Sequence, residues 1–401
     1  MTTTRAWVLI AILFAATALS FLDRQVLSVL APRITAEFAM SNTEYSRVVF
    51  AFVLTYTIMF SVGGRLMDVL GTRLGLGISV LIWSAASALH AFATGPWMLG
   101  AGRMLLGVGE GACFPGVTKG AIEWMTPSHR ALAIGIANGG SAFGAVLAPP
   151  LTAWITNTYG WRAAFVSTAL LGAAWLAAWF VLSPKSTTTA PIPLAPKISI
   201  PDLLARPAKR RLMLARFLFD PVFYFYMFWI PQYLSRERGL SLAAIGALTW
   251  IPFFVLGVTN MGIGRVSDLL VARGWEPRHA RLTLMLIAAL LTPASFLASR
   301  ATTADGAIAL MSVLMFAHGI WIANFVTLIS DTVAPQAIAT AVGLTGTAGG
   351  IAGMLSNLVT GPVVDRYGFA PVFIATGLVY PAAWLVIRLQ SQPAGTPCQA
   401  L

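Results

Sequence analysis

Four charged residues stand inside long apolar segments of the sequence, where charge is energetically expensive. Asp23 and Arg24 interrupt the first apolar segment, and Arg103 and Glu110 interrupt the fourth. An ionisable group at membrane depth costs about 3 kcal/mol or more, so each of these residues needs a partner or a role. Arg103 and Glu110 are seven positions apart and therefore lie on one face of a helix. The four residues predict a charged cluster between helices.

The cluster allows two interpretations. Two guanidiniums and two carboxyls can neutralise one another and merely orient helices. Alternatively, Arg24 anchors an organic anion, because a guanidinium stays charged and offers a planar fork of donors to a carboxylate. A carboxyl in a low-dielectric cavity holds a proton more readily than one in water, which favours Glu110 and Asp23 as proton carriers. Arg103 would balance Glu110, and protonation of Glu110 would free an arginine for the anion. This second interpretation predicts symport of an organic anion with protons.

Composition limits the classes of protein that can carry this cluster. Hydrophobic residues make up 57% of the 401 residues and charged residues 10%, against about 25% charged residues in a soluble domain. The net charge of +12 is scattered between apolar runs, so no nucleic-acid partner is expected. Cys113 and Cys398 are isolated, and the four histidines show no ligand spacing. We expect no enzyme, no metal and no cofactor, with the proton gradient as the energy source.

The apolar runs predict an all-α membrane protein with 12 transmembrane helices, since about 20 apolar residues cross a bilayer. A proline-rich polar segment, 183–210, separates residues 1–182 from residues 211–401 and predicts a linker between two six-helix halves. If the N-terminus is cytoplasmic, 16 of the basic residues fall in cytoplasmic loops and 7 in the other loops. This bias predicts that both termini are cytoplasmic. The predicted spans are roughly 7–31, 46–67, 74–94, 97–118, 130–154, 162–182, 211–235, 242–266, 281–299, 306–329, 338–361 and 370–390.

An internal repeat relates the two halves. The string GRLMD at Gly64 to Asp68 recurs as GRVSD at Gly264 to Asp268, and parallel repeats of this kind are typical of transporters whose halves rock about a central site. Asp68, Arg73 and Asp268 at the cytoplasmic mouth are predicted gating residues, with an ion pair that joins the halves. Glycine-rich stretches in spans five and eleven predict that these two spans meet across the halves.

The C-terminal half lacks a basic residue as deep as Arg24, because Arg216 falls near the start of span seven. Its polar and aromatic residues suit hydroxyls and the apolar face of a carbon chain. This asymmetry predicts a substrate that is charged at one end and hydroxylated at the other. Asp220 precedes Pro221, where a kink is expected. The predicted substrate-binding residues of this half are Trp229, Trp321, Asn324 and Asn357.

Several strings together resemble a known family. GGRLMDVLGTRLG resembles the loop 2–3 signature of the major facilitator superfamily. SFLDRQVLSVLAPRI, RMLLGVGEGACFPGVTKGAIEW and DPVFYFYMFWIPQYL are similar to spans one, four and seven of its anion:cation symporter family, in the hexuronate branch. The resemblance implies two pseudo-symmetric six-helix bundles and alternating access. It also implies a multi-pass protein of the bacterial inner membrane that works as a monomer in the bilayer.

The resemblance also implies roles for particular residues. It places the substrate carboxylate and the coupled protons at Asp23, Arg24, Tyr56, Arg103 and Glu110. One departure is the pair at positions 20 and 21, where Ser and Phe stand in place of the family's Asn and Tyr. The lost hydroxyl keeps open a less hydroxylated mono- or dicarboxylate instead of a sugar acid such as a hexuronate or aldonate. A drug exporter driven by proton antiport is another alternative, although the deep arginines argue against it.

Overall fold

The computed structural model describes residues 3–126, 129–184, 207–332 and 338–389, and the regular structure in these ranges is helical. Most of the predicted linker, 183–210, lies outside them. The helices are α1 (Thr3–Glu37), α2 (Asn42–His90), α3 (Pro96–Glu110), α4 (Cys113–Trp124), α5 (Arg130–Tyr159), α6 (Trp161–Leu182), α7 (Pro207–Arg238), α8 (Leu242–Leu248), α9 (Trp250–Ala272), α10 (Pro277–Leu291), α11 (Ala294–Arg300), α12 (Ala304–Thr332), α13 (Ile338–Tyr367) and α14 (Ala370–Arg388).

These helices account for the predicted membrane crossings. Among the described residues, 10 stretches are long and apolar enough to cross a membrane. One of them, α2, contains two predicted spans joined at Gly71, whose φ of 73° lies in the left-handed region that favours glycine. The fourth predicted span is not among the ten, because it is divided into α3 and α4. If α2 is counted as two crossings and α3 with α4 as one more, the ten stretches become 12 crossings. The chain is therefore a multi-pass membrane protein whose helices are consistent with the predicted number.

The helices pack as two groups, which we call the N-terminal bundle (α1–α6) and the C-terminal bundle (α7–α14). Helix α1 packs on α7 across the boundary, α2 packs on α13, and α5 packs on α8 and α9. The prediction that spans five and eleven meet is therefore wrong. Gly140 and Gly144 of α5 lie against the backbone of α1, whereas Gly350 of α13 lies against Thr57 of α2. A run of glycines predicts a close helix contact but carries no information about which helix is the partner.

The two sides of the membrane differ in how the bundles are joined. We call the side where α1 begins and α14 ends the terminal side, and the other the opposite side. At the opposite side Asp365 of α13 accepts hydrogen bonds from the backbone N–H groups of Asn42 and Thr43, at 3.0 and 2.8 Å, and from both their side chains. Gln232 of α7 also donates to Asn42, at 3.0 Å. We call these four residues the opposite-side latch.

The predicted gating residues make different contacts from those expected. Asp68 pairs with Lys119 of its own bundle at 2.8 Å. Arg73 donates to the backbone carbonyls of Phe180 and Ser183, also in the N-terminal bundle. Asp268 is exposed. The predicted ion pair between the halves is therefore not formed among the described residues, because Lys119 and main-chain carbonyls of the same bundle lie closer. A gating role for these residues stays a prediction.

Candidate functional site

A buried ion pair joins α1 to α3 inside the N-terminal bundle. Arg24 Nε lies 2.6 Å from Glu110 Oε2, and the two side chains are 5% and 0% exposed. Ser20, one helical turn before Arg24, donates its hydroxyl to the same carboxylate oxygen at 3.1 Å. The other oxygen, Oε1, is buried without a partner among the described residues. We call Arg24 and Glu110 the N-terminal ion pair.

A close helix contact places Glu110 in this position. Helix α3 ends at Glu110, and Gly111 follows it against α2. A Cβ at Gly111 would lie 2.6 Å from Met59 Cβ and 2.7 Å from the Tyr56 carbonyl oxygen. Any larger residue would therefore push the end of α3 away from α2. Gly111 thus holds the Glu110 carboxylate within reach of α1. It lies at the break between α3 and α4.

Aromatic rings cover the faces of the Arg24 guanidinium. Its Cζ lies 4.2 Å from the centroid of the Tyr56 ring and 4.6 Å from that of Phe21. Phe21 is one of the two departures from the family pattern, and here it contributes a cation–π contact instead of a hydroxyl. Since the N–H donors lie in the guanidinium plane, rings on its faces leave the edge for a carboxylate.

Asp23 and Arg103 complete the buried cluster without forming a second short ion pair. Asp23 Oδ1 accepts a hydrogen bond from Ser87 at 2.5 Å. Arg103 donates one to the backbone carbonyl of Arg24 at 3.4 Å. Asp23 Oδ2 and two guanidinium nitrogens of Arg103 are buried without a partner among the described residues. Glu110 is therefore balanced by Arg24 and not by Arg103 as expected, because the turn of α1 that carries Arg24 faces the end of α3.

Two of the predicted residues of the C-terminal bundle meet at the bundle boundary. Trp229 Nε1 donates to Asn357 Oδ1 at 2.9 Å, which links α7 to α13. The Trp229 ring also makes an edge contact with Tyr45 of the N-terminal bundle, with centroids 5.1 Å apart. Their position between the bundles is compatible with a role at a central site.

The other two predicted residues contact their own bundle. Trp321 is fully buried, and its ring packs edge-on against Tyr380 of α14 with centroids 5.2 Å apart. Asn324 donates to a main-chain carbonyl of its own helix at 2.8 Å. His318 shares a hydrogen bond of 2.5 Å with the Tyr380 hydroxyl. These contacts belong to helix packing, and they do not bring Trp321 or Asn324 to the N-terminal ion pair.

A second ion pair lies within α7. Arg216 Nε is 3.0 Å from Asp220 Oδ2, and the side chains are 17% and 14% exposed. Arg216 also reaches the Thr345 hydroxyl of α13 at 3.4 Å. Asp220 is held close to α13 at Gly349, where an added Cβ would lie 1.7 Å from its carboxylate oxygen. We call Arg216 and Asp220 the C-terminal ion pair.

Several contacts in the site were not predicted from the sequence. The sequence marks Ser20 only as a departure from the family pattern, yet its hydroxyl donates a hydrogen bond to Glu110. Ser87 gave no signal, because a serine in an apolar span is common. The four-residue spacing of Arg216 and Asp220 is a signal for a helical ion pair, and it was available in the sequence.

Comparison with known proteins agrees with this architecture. The family model of the Major Facilitator Superfamily matches residues 13–356, and the chain belongs to this family. It is therefore a transporter and not an enzyme. The chain is 29% identical to the hexuronate transporter of Escherichia coli (strain K12), over 97% of this chain and 95% of that protein. It is 28% identical to the D-galactonate transporter of Escherichia coli O6:H1, over 92% of each chain.

Solved structures share the fold. A crystal structure of a D-xylose-proton symporter matches with a TM-score of 0.76 at 16% identity, covering 94% of this chain and 96% of that one. A bacterial homolog of the human lysosomal transporter Spinster matches with a TM-score of 0.74 at 19% identity, covering 97% and 96%. The two-bundle arrangement built from the helices is thus the fold of this superfamily.

Proposed function

We propose that the protein is a secondary active transporter that imports an organic anion of the sugar-acid class together with protons, by alternating access. The names of the relatives support the substrate class, since they include hexuronate and D-galactonate transporters aligned over almost the whole chain. The proposed membrane is the bacterial inner membrane, with both termini and the terminal side cytoplasmic. The bias of basic residues toward the loops of that side supports this orientation.

The single observation that carries the proposal is the N-terminal ion pair. Arg24 is the anion anchor, and Glu110 occupies it at 2.6 Å. A substrate carboxylate competes with Glu110 for the same guanidinium edge. Protonation of Glu110 removes its negative charge, weakens its hold on Arg24 and frees that edge for the substrate. Binding of the anion and of a proton thereby become linked.

The neighbouring charges fit the same cycle. Asp23 is the second proton-carrying residue, because one of its oxygens has a hydrogen-bond donor and the other has none among the described residues. Arg103 keeps a positive charge beside Arg24, which favours the carboxylate of a bound substrate over the bare site. The protein needs no partner subunit in this scheme, since each chain holds both bundles.

Uptake by proteoliposomes tests the proposal. Labelled glucuronate or galactonate should accumulate when the outside is made acidic, and should not accumulate without the gradient. Glu110→Gln should lose this gradient-driven accumulation, because a glutamine takes up no proton. Glu37→Gln is the matched control, since Glu37 pairs with Arg162 at 3.1 Å in a partly exposed position at the opposite side. Uptake that ignores the imposed gradient in the wild type would contradict the coupling.

A further inference from the structure

The C-terminal ion pair has no part in the proton linkage, yet it lies where the two bundles face each other. A Cβ added at Gly346 of α13 would lie 3.8 Å from Arg216 Cζ and 3.6 Å from Phe60 Cε1 of α2. The guanidinium and Phe60 therefore lie close to the same point at the boundary. The pair is also partly exposed, whereas the N-terminal ion pair is buried. Arg216 and Asp220 therefore keep some accessible surface next to the boundary.

Aromatic residues connect the two ion pairs. Tyr56, which covers Arg24, lies next to Phe60 with ring centroids 6.0 Å apart. Tyr224, one turn after Asp220 on α7, packs against Phe228 with centroids 6.2 Å apart, and Phe228 in turn contacts Phe52 beside Arg24. Of these rings, Phe60 and Tyr224 keep some exposed surface, so they can border the path between the two ion pairs.

The charge balance of the two sites differs. With Glu110 protonated and Asp23 ionised, the cluster formed by Asp23, Arg24, Arg103 and Glu110 carries one net positive charge, which matches one carboxylate. The C-terminal ion pair carries none, because Asp220 neutralises Arg216. A second carboxylate placed there would face the Asp220 carboxylate and be repelled. A hydroxyl group suits the pair, since it can donate to Asp220 and accept from Arg216 at once.

We propose that Arg216 and Asp220 form the subsite that binds hydroxyl groups at the end of the substrate remote from its carboxylate. The proposal rests on the proposed function and narrows its substrate class to polyhydroxylated monocarboxylates. It disfavours dicarboxylates and plain fatty acids. A site built to hydrogen-bond hydroxyls rejects an analogue without them, because its own polar groups are then left without partners.

The test is a binding comparison on the purified protein without a proton gradient. Glucuronate, its dicarboxylate counterpart glucarate and unhydroxylated hexanoate are compared as ligands by calorimetry and by thermal shift. The wild type should bind glucuronate at least about tenfold more tightly than either of the others. Asp220→Asn and Arg216→Gln should each remove most of the preference over hexanoate while leaving hexanoate affinity nearly unchanged.

Arg281→Gln provides the matched control. Arg281 of α10 pairs with Asp331 of α12 at 2.7 Å. The substitution therefore removes an Arg–Asp pair from the same bundle, at a position away from α13. It should keep the glucuronate preference. The ratio of two affinities within one preparation is insensitive to partial unfolding, which covers any variant that folds poorly.

Three outcomes would overturn the inference: an unchanged ratio in both variants, an equal loss for all ligands, or a wild type that prefers glucarate. None of them depends on proton coupling. If the coupling is wrong but the subsite is right, the binding ratios persist while uptake ignores the pH gradient. If none of the three acids gives a binding signal, the proposed function fails together with the subsite.

Discussion

The two ion pairs of this transporter are built from the same residue types but in opposite ways. Arg24 and Glu110 are 86 residues apart, and they meet only because α1 and α3 pack together. Arg216 and Asp220 are one turn apart on a single helix and meet wherever that helix forms. The first pair is closed off from solvent and the second is partly open to it. A pair that depends on the packing of two helices suits the coupling of proton and substrate binding. A pair within one helix that is partly exposed suits recognition of the substrate.

Energetics separate the pairs as well. Removing one partner of a buried pair leaves an uncompensated charge and costs about 3–5 kcal/mol. Exposed pairs spaced four apart on a helix contribute only about 0.3–0.5 kcal/mol, and the C-terminal ion pair, whose side chains are 17% and 14% exposed, lies between these two cases. We therefore expect changes at the N-terminal ion pair to alter binding and stability together, and changes at the C-terminal ion pair to alter selectivity with a smaller effect on stability.

The largest effect is expected for Arg24→Ala. It should weaken binding of every monocarboxylate by roughly 100-fold or more, because two charge-assisted hydrogen bonds of about 1.5–3 kcal/mol each are lost. Arg24→Lys should recover part of the affinity through its charge but not the fork geometry. Calorimetric titration measures both, with Arg162→Ala at the surface as the control. Retained affinity in Arg24→Ala would remove Arg24 as the anchor.

The next effect concerns stability and tests the difference in burial between the N-terminal and C-terminal ion pairs. Arg24→Ala should lower the free energy of unfolding by about 3–5 kcal/mol, since it leaves Glu110 buried and unpaired. Adding Glu110→Gln to that variant should restore much of the loss, because the buried charge is then gone. The same double-mutant cycle at Arg216 and Asp220 should show a smaller coupling energy, because that pair keeps some contact with solvent. Equal coupling energies in the two cycles would contradict the comparison.

A smaller effect is expected at the opposite-side latch. Asp365→Asn removes the charge from hydrogen bonds that hold the start of α2, and so should open that side more often. A cysteine placed at buried Ser46, in a background without the native cysteines, should then react a few-fold faster with a polar thiol reagent. Asp305→Asn, in the exposed first turn of α12, serves as the control. No change in the labelling rate would mean that the latch does not hold the bundles closed.

The smallest effect is expected for Asp68→Asn. Its pair with Lys119 joins two helices of one bundle, and the aspartate side chain is 56% exposed. Such pairs contribute about 0–1 kcal/mol, so uptake rates should change by less than about twofold. A change of tenfold or more would show that Asp68 acts in another conformation, as the sequence prediction of a gate requires.

Much of this arrangement could be predicted from sequence, because burying charge is so costly that its location is informative. That cost alone predicts that Asp23, Arg24, Arg103 and Glu110 form one cluster. Which arginine pairs with Glu110 could not be predicted, since it depends on the rotation of α1 relative to α3. That rotation is set by close helix contacts such as the one at Gly111.

Other observed contacts differ from the predicted ones for related reasons. A glycine-rich face indicates close packing without specifying the neighbouring helix, so it could not predict that α5 packs on α8 and α9. The repeated GRxxD strings drew attention to the terminal side, while Asp365, a single acid at a helix end, joins the bundles at the opposite side. Trp321 and Asn324, which residue type predicts to bind substrate, contact their own bundle in this structure, and a binding role for them stays a prediction. The direction in which a side chain points depends on tertiary packing, and residue type does not reveal that packing.

The most direct test of the account is proton uptake on binding. Purified protein in weakly buffered solution, with a pH indicator present, is mixed with a saturating amount of glucuronate. Because the substrate displaces Glu110 from Arg24 and that carboxyl then takes a proton, the wild type should remove protons from solution and Glu110→Gln should remove fewer. Proton uptake of the same size in Glu110→Gln, or none in the wild type, would contradict the linkage between the N-terminal ion pair and the substrate.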